Sequence, residues 1–492
     1  MKEDRSSYRQ IMKATSLFGG VQVFNIIISI IRSKVIAILL GPAGMGIAGL
    51  LTSTTGMIGV MTNFGLRTSA VKDIASAYES GDENRIAKII LIFRRLVWGT
   101  GLLGTVLTLV LSPWLSQIAF GNREYTFAFA WLAITLLFSQ LTSGQNVLLQ
   151  GMRKLQYLAK ANVFGTAAAL IISLPIYYYW RLDGIVPALI ITSVFTLGIA
   201  WYFTRKVDVK KIDVSLAETR YEGKEMLKMG FMLSLSTLLT MGTAFLLNIF
   251  ISNRGGVDQV GLYNAGFAII STYVGLVFTA MSTDYYPRLS GVSHDNEKAS
   301  MLINQQAEIG LLILAPILSI FFIFINWGII ILYSTQFLAI SGMVLWAALG
   351  MYFKLASWAI AFILLAKGAS RLFFLNELVF NAYMLAFNLL GYYWKGLDGL
   401  GISFLLGYFF YLIQVFILSK HKYKFAFTPA AYKIFATQFI LGLSCFLIIK
   451  LIPTPWAYGI GLPFILVSIW YSYKELDKRI GVKSVIFSYL KK

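Results

Sequence analysis

Apolar runs of about 20 residues, separated by short polar connections, recur along almost the whole chain. About 20 such residues are needed for a helix to cross the hydrocarbon of a bilayer. The pattern predicts fourteen spans, near 14–38, 43–66, 88–112, 127–149, 158–179, 184–204, 229–252, 260–283, 303–326, 337–366, 371–393, 399–418, 431–451 and 456–473. The longest polar connection is 205–228, so no soluble domain is expected. The polar segment Met1–Lys13 leads into a first apolar run too long for a cleaved signal, so that run is read as a retained span.

The charges test this division, because Lys and Arg accumulate in cytoplasmic loops. With the N-terminus inside, thirty-four basic residues fall in inside segments and five outside: Arg123, Arg181, Arg254, Lys395 and Lys450. The alternation holds along the whole chain. Both ends are therefore expected in the cytoplasm.

The chain also repeats itself at an offset near 215. Gly46 answers Gly261, and the polar connection 73–85 answers 288–300. The run Tyr178-Tyr179-Trp180-Arg181-Leu182-Asp183-Gly184 pairs with 392–399, with Gly396 read as a one-residue insertion. Six helices is an even number, so both copies enter the membrane from the same side. Copies of that kind are related by an axis along the membrane normal. The expected fold is an all-α integral membrane protein with two pseudo-symmetric six-helix lobes in parallel repeat. The domains would be 1–204, a cytoplasmic linker 205–228, a second lobe 229–418, and a terminal helix pair with its tail, 419–492.

Composition agrees: 58% of residues are hydrophobic and 13% charged, against about 25% charged in soluble domains. The net charge of +20 does not indicate nucleic acid, because the basic residues are dispersed through loops. A single cysteine, Cys445, excludes a disulfide framework, and His294 and His421 stand too far apart to hold a metal together. No phosphate loop, zinc-protease or serine-hydrolase motif is present, and no cofactor is implied.

The residues that invite a function are polar ones inside spans. Gln22, Asn25, Ser29 and Arg32 follow one another at spacings of 3, 4 and 3, which places them on one helical stripe. Lys354 falls near the middle of the tenth span with no acid in that span. A cation at that depth costs about 2.5–3.5 kcal/mol on insertion scales, so Lys354 is expected either to pair with an acid from another helix or to face a water-filled cavity awaiting an anion. Asn63 and Asn248 are further lining candidates. Glu308, Glu377 and Asp284 are candidates for a coupling site, with structural pairing to Arg94, Arg95 or Arg371 as the plainer alternative.

Leu39-Leu40-Gly41-Pro42-Ala43-Gly44-Met45-Gly46 after a basic first span, Phe120-Gly121-Asn122, and Leu365-Ala366-Lys367-Gly368-Ala369-Ser370-Arg371 resemble the polysaccharide transporters. These include the O-antigen and enterobacterial common antigen flippases of the multidrug/oligosaccharidyl-lipid/polysaccharide superfamily. The resemblance covers roughly residues 10–420. It implies two six-helix lobes around a cationic cavity that carry an undecaprenyl-diphosphate-linked oligosaccharide to the periplasmic leaflet of a bacterial inner membrane. Bilayer lipids, a coupling H+ or Na+, and a polysaccharide polymerase or chain-length protein are the partners it suggests. A lipid II flippase and a cation-coupled multidrug antiporter of the same superfamily are the nearest alternatives. The antiporter needs cavity acids that the first span lacks. A membrane glycan polymerase needs a large outward loop, and none is present.

Overall fold

The computed structural model describes residues 2–210 and 212–480. Within the helices some side chains, Gln22 and Asp284 among them, lie outside the described set. The described residues form fourteen α-helices and no strand. Eight helical runs are long and apolar enough to cross a membrane. Three of them, Phe24–Asn63, Leu155–Thr204 and Arg371–Tyr423, have 40, 50 and 53 residues, enough for two crossings each. The protein is a multi-pass membrane protein.

Unit 1, Met1–Gly261, contains α1 (Lys2–Asn63), α2 (Leu66–Ser80), α3 (Glu83–Phe120), α4 (Thr126–Gly151), α5 (Leu155–Trp180), α6 (Ile185–Thr204) and α7 (Leu216–Gly255), and ends within α8 (Val257–Ala268). The first two expected spans are one helical run bent at Gly41, whose φ of 65° lies in the left-handed region, with Pro42 next to it. The bend leaves helix carbonyls without partners, and the Arg181 guanidinium donates to the Leu39 carbonyl at 3.1 Å.

The segment expected as a polar loop, 73–85, is largely helix. α2 carries Leu66, Ala70, Ile74 and Ala77 on one buried face, packed against Phe93 of α3 and Val147–Leu149 of α4. Its average hydropathy hides a 3.6-residue period that a window sized for a membrane span does not detect. The turn between α1 and α2 is closed by Asn63, whose Oδ1 accepts from the Gly65 N–H at 2.7 Å. Gly65 has φ 62°, and a Cβ there would strike the carbonyl of Gly230 on α7.

In α3 the lipid-membrane pattern is inverted relative to a soluble helix. Thr100, Gly101, Gly104, Thr108 and Ser112 are buried, while Leu102, Val106, Leu109 and Val110 are exposed. Small residues permit close helix contact, and the apolar face meets acyl chains at no cost.

α7 begins at a capping box: Ser215 Oγ accepts from the Glu218 N–H, and Glu218 returns a bond to the Ser215 N–H. Hydrogen bonding to Lys88, followed by the Ser215 cap, holds the exposed Glu218 carboxyl down to about 2 from an ordinary 4.5. Its folded value is depressed, so its stabilising contribution is present above pH 4.5 and is lost as the pH falls through about 2.

Unit 2, Leu262–Lys492, continues from α8 through a π-helical turn at Ile269–Val274 into α9 (Leu276–Gly291). It then holds α10 (Asn296–Leu332), α11 (Ser341–Ala366), α12 (Ser370–Tyr423), α13 (Pro429–Leu451) and α14 (Thr454–Ile480). The eleventh and twelfth expected spans are both in α12, joined through a kink at Lys395 and Gly396 without a loop.

That kink refines the repeat. Gly396 has φ 56° and ψ −132°, and Arg181 in unit 1 has φ 48° and ψ −127°. The two backbones turn the same way at an offset of 215, so the extra residue in unit 2 is better placed at Lys395 than at Gly396.

The terminal pair is packed into unit 2 against α10. Gln438 of α13 is fully buried and bonded to Ser468 and Ser472 of α14. Glu308 of α10 accepts from Thr428 at 3.0 Å and pairs with Arg479 of α14 at 2.9 Å. Breaking such a partly buried pair leaves an uncompensated charge, so Arg479→Met is expected to destabilise unit 2 by about 2 kcal/mol. Glu308→Gln should cost less, because its bond to Thr428 survives. Thermal unfolding of the purified protein in detergent measures both, and an unchanged midpoint for Arg479→Met would show that the pair holds nothing.

Candidate functional site

In unit 1 the polar stripe of α1 faces inward in part. Asn25, Ser29 and Arg32 are all half-buried, and Asn25 Oδ1 and Arg32 Nε have no hydrogen-bond partner. The Arg32 guanidinium lies beside the hydroxyl of Tyr177 of α5, a side chain only 2% exposed. No carboxylate among the described residues lies within salt-bridge distance of Arg32. Asn248 of α7, which packs against α1, is buried, and its Oδ1 also lacks a partner. Buried polar atoms are normally satisfied, so orphans like these mark places where water or a ligand completes the bonding. Asn63 differs from these residues, because its carboxamide oxygen is occupied by the turn.

In unit 2 Lys354 lies in α11, which packs against α12. It makes no ion pair among the described residues. Instead its Nζ stands 5.4 Å from the ring of Phe278 of α9, 5.6 Å from Phe404 and 5.3 Å from Tyr408 of α12. Aromatic faces attract a desolvated cation by about 2 kcal/mol, which partly replaces its lost hydration. They leave its positive charge uncancelled.

Tyr408 connects this cation to an acid network on α12. Its hydroxyl lies in the field of Glu377. Glu377 Oε1 accepts from the Tyr411 hydroxyl at 2.6 Å, Asn376 Nδ2 donates to the same hydroxyl at 3.1 Å, and Gln414 Nε2 donates to Asn376 Oδ1 at 2.8 Å. Tyr383 is close to both Glu377 and Tyr408, and its buried hydroxyl has no partner. Lys354 and Glu377 thus both lie near Tyr408.

Glu308 belongs elsewhere, paired with Arg479 and not with Arg94, Arg95 or Arg371. The reason is topological: α14 runs back along α10 and delivers its basic end to the acid. The side chains of Gln22 and Asp284 fall outside the described residues. Sequence reading missed Tyr383, Tyr408, Tyr411, Asn376 and Gln414. A tyrosine pair three apart on a span, facing an Asn-Glu pair, was the available signal, but tyrosine is common here and marks many interfacial positions.

An all-helical membrane chain with polar and cationic groups inside its spans has the architecture of a transporter, and comparison agrees on the fold. The structure is similar to "Lipid II flippase MurJ, inward closed conformation", with a TM-score of 0.69 and 12% identity over 95% of this chain and 99% of that one. It is also similar to an inward-facing multidrug resistance MATE family transporter of the MOP superfamily, with a TM-score of 0.64 and 15% identity over 84% of this chain and 96% of that one. Residues 35–342 match the polysaccharide biosynthesis protein family, and the chain belongs to that family. Among curated proteins it is 20% identical to the lipid III flippases of Escherichia coli (strain K12) and Shigella flexneri, over 380 residues, 75% of this chain and 88% of theirs.

Proposed function

We propose that this protein is a flippase that moves an undecaprenyl-diphosphate-linked oligosaccharide of the O-antigen type from the cytoplasmic to the periplasmic leaflet of a bacterial inner membrane. The observation that carries the proposal is Lys354, a cation inside a span, ringed by aromatic groups and with no ion pair among the described residues. Family membership and the lipid III flippase relatives support the same reading.

In this mechanism the lobes 1–204 and 229–418, joined by 205–228, rock about a central cavity, and 419–492 travels with the second lobe. Arg32 and Lys354 attract the diphosphate. Asn25, Ser29 and Asn248 offer bonds to sugar hydroxyls, while the prenyl chain remains in lipid. One pair of unit charges 4 Å apart at an effective dielectric of 20 is worth about 4 kcal/mol before desolvation. That strength permits both capture and release. The membrane potential favours outward passage of an anion by about 2.3 kcal/mol per charge per 100 mV.

Glu377 is assigned the coupling role, exchanging H+ or Na+ while Tyr411 and Asn376 adjust their bonds. Glu377→Gln is expected to make transport in proteoliposomes indifferent to an imposed proton or sodium gradient, with gradient-free flipping retained. Undiminished gradient dependence in that variant removes the assignment.

Deletion of the gene tests the whole reading. The expected result is lipid-linked oligosaccharide accumulating with its sugars on the cytoplasmic leaflet. A lipid II flippase is the second reading, favoured by the likeness to MurJ over 95% of this chain. It predicts arrested peptidoglycan synthesis on depletion. Transport of a cationic dye with no effect on either lipid would defeat both.

A further inference from the structure

We infer that unit 1 carries a binding site for phosphatidylethanolamine, with its headgroup in a two-signed polar cavity at one end of α5 and α6 and an acyl chain in the adjoining groove between these helices. The polar cavity, of about 580 Å³, is lined by Glu83, Lys154, Tyr157, Lys206, Asp208 and Lys210. Lys210 is occupied by Asn84 at 2.8 Å. Lys154 and Lys206 have no carboxylate, and Glu83 and Asp208 no cation, within salt-bridge distance among the described residues. Two cations and two acids therefore share one cavity with no ion pair among them in the described residues. A ligand that carries both an anion and an ammonium group satisfies all four.

The second half of the site is apolar. A groove of about 490 Å³ runs between α5 and α6, lined by Phe164, Ala167, Ile171, Gly198, Tyr202 and Phe203. Glycine in a helix interior is less favourable than alanine and in membranes usually serves close helix packing. Gly198 serves no such packing, since a Cβ there would meet nothing within 4 Å. It deepens the groove. The two halves join through Tyr157, which stacks on Phe203 at 6.3 Å, and through Lys206, whose Nζ lies 4.3 Å from the Tyr202 ring.

The headgroup phosphate would lie between Lys154 and Lys206, with the ammonium donating to Glu83 and Asp208. Choline, which has no N–H, cannot make the second set of bonds, and glycerol carries no charge to match the acids. The inference does not depend on the transport reading, because it is tested without transport. The full chain is purified into detergent, exposed to phosphatidylethanolamine, phosphatidylcholine or phosphatidylglycerol, and its bound lipid counted by native mass spectrometry. One phosphatidylethanolamine should be retained at least tenfold over the other two. Lys154→Gln with Lys206→Gln, and Glu83→Gln with Asp208→Asn, should each remove that preference. Gly198→Leu should reduce retention of the lipid itself. Should the leucine variant fail to fold, the two polar pairs carry the test alone. Equal retention of phosphatidylcholine or phosphatidylglycerol, or a preference untouched by the polar variants, overturns the assignment.

Discussion

Lys354→Ala is expected to lower oligosaccharide export by about ten- to a hundredfold while raising the thermal stability of the purified protein. The two halves of this result come from one cause. A charged hydrogen bond to a phosphate oxygen contributes about 1.5–3 kcal/mol, and each 1.4 kcal/mol is a factor of ten. The same cation is an expense to the folded protein, because three aromatic rings return less than full hydration did. Lys354→Arg, which keeps the charge, should recover part of the export. Leaflet-resolved assay of the lipid-linked sugar, with a melting curve on the same preparation, reads both. A variant that loses stability but exports normally would show that Lys354 serves packing alone.

Gly46→Leu is the second large effect. In unit 1, α1 and the start of α8 cross backbone to backbone: a Cβ on Gly46 would collide with the Val257 carbonyl, and one on Gly261 with the Pro42 carbonyl. Pro42 and Val257 stand at the same offset of 215 as the two glycines, so the contact is reciprocal between repeat equivalents. Leucine at either glycine must separate the helices, and overpacking of this kind costs about 1–3 kcal/mol. Export is expected to fall to background for Gly46→Leu and for Gly261→Leu. Gly59→Ala provides the contrast, because nothing lies within 4 Å of a Cβ there. Size-exclusion behaviour separates misfolding from arrest. Wild-type export by folded Gly46→Leu protein would show that this crossing does not have to close during transport.

Much of this protein was legible without coordinates. The all-helical membrane architecture and the lysine inside a span follow from one-dimensional pattern, because a bilayer imposes a fixed length and a steep penalty on every crossing segment. The pairing of Gly46 with Gly261 was visible as a repeat. Its meaning as a mutual contact was not, because sequence equivalence does not say which copies touch.

The partners of individual polar side chains depended on tertiary structure. Glu308 had three plausible arginine partners by depth, and the chain path gave it a fourth, Arg479. For Asn63, a lining candidate by sequence, the fold supplies a bond from the left-handed glycine two positions later to its oxygen. Lys354 acquired a ring of aromatics from α9 and α12, residues remote from it along the chain. Hydropathy is a property of each residue and is summed along the chain, so sequence alone fixed which segments enter the membrane. A hydrogen bond or ion pair needs two groups within a few ångströms, and only the folded backbone sets that separation.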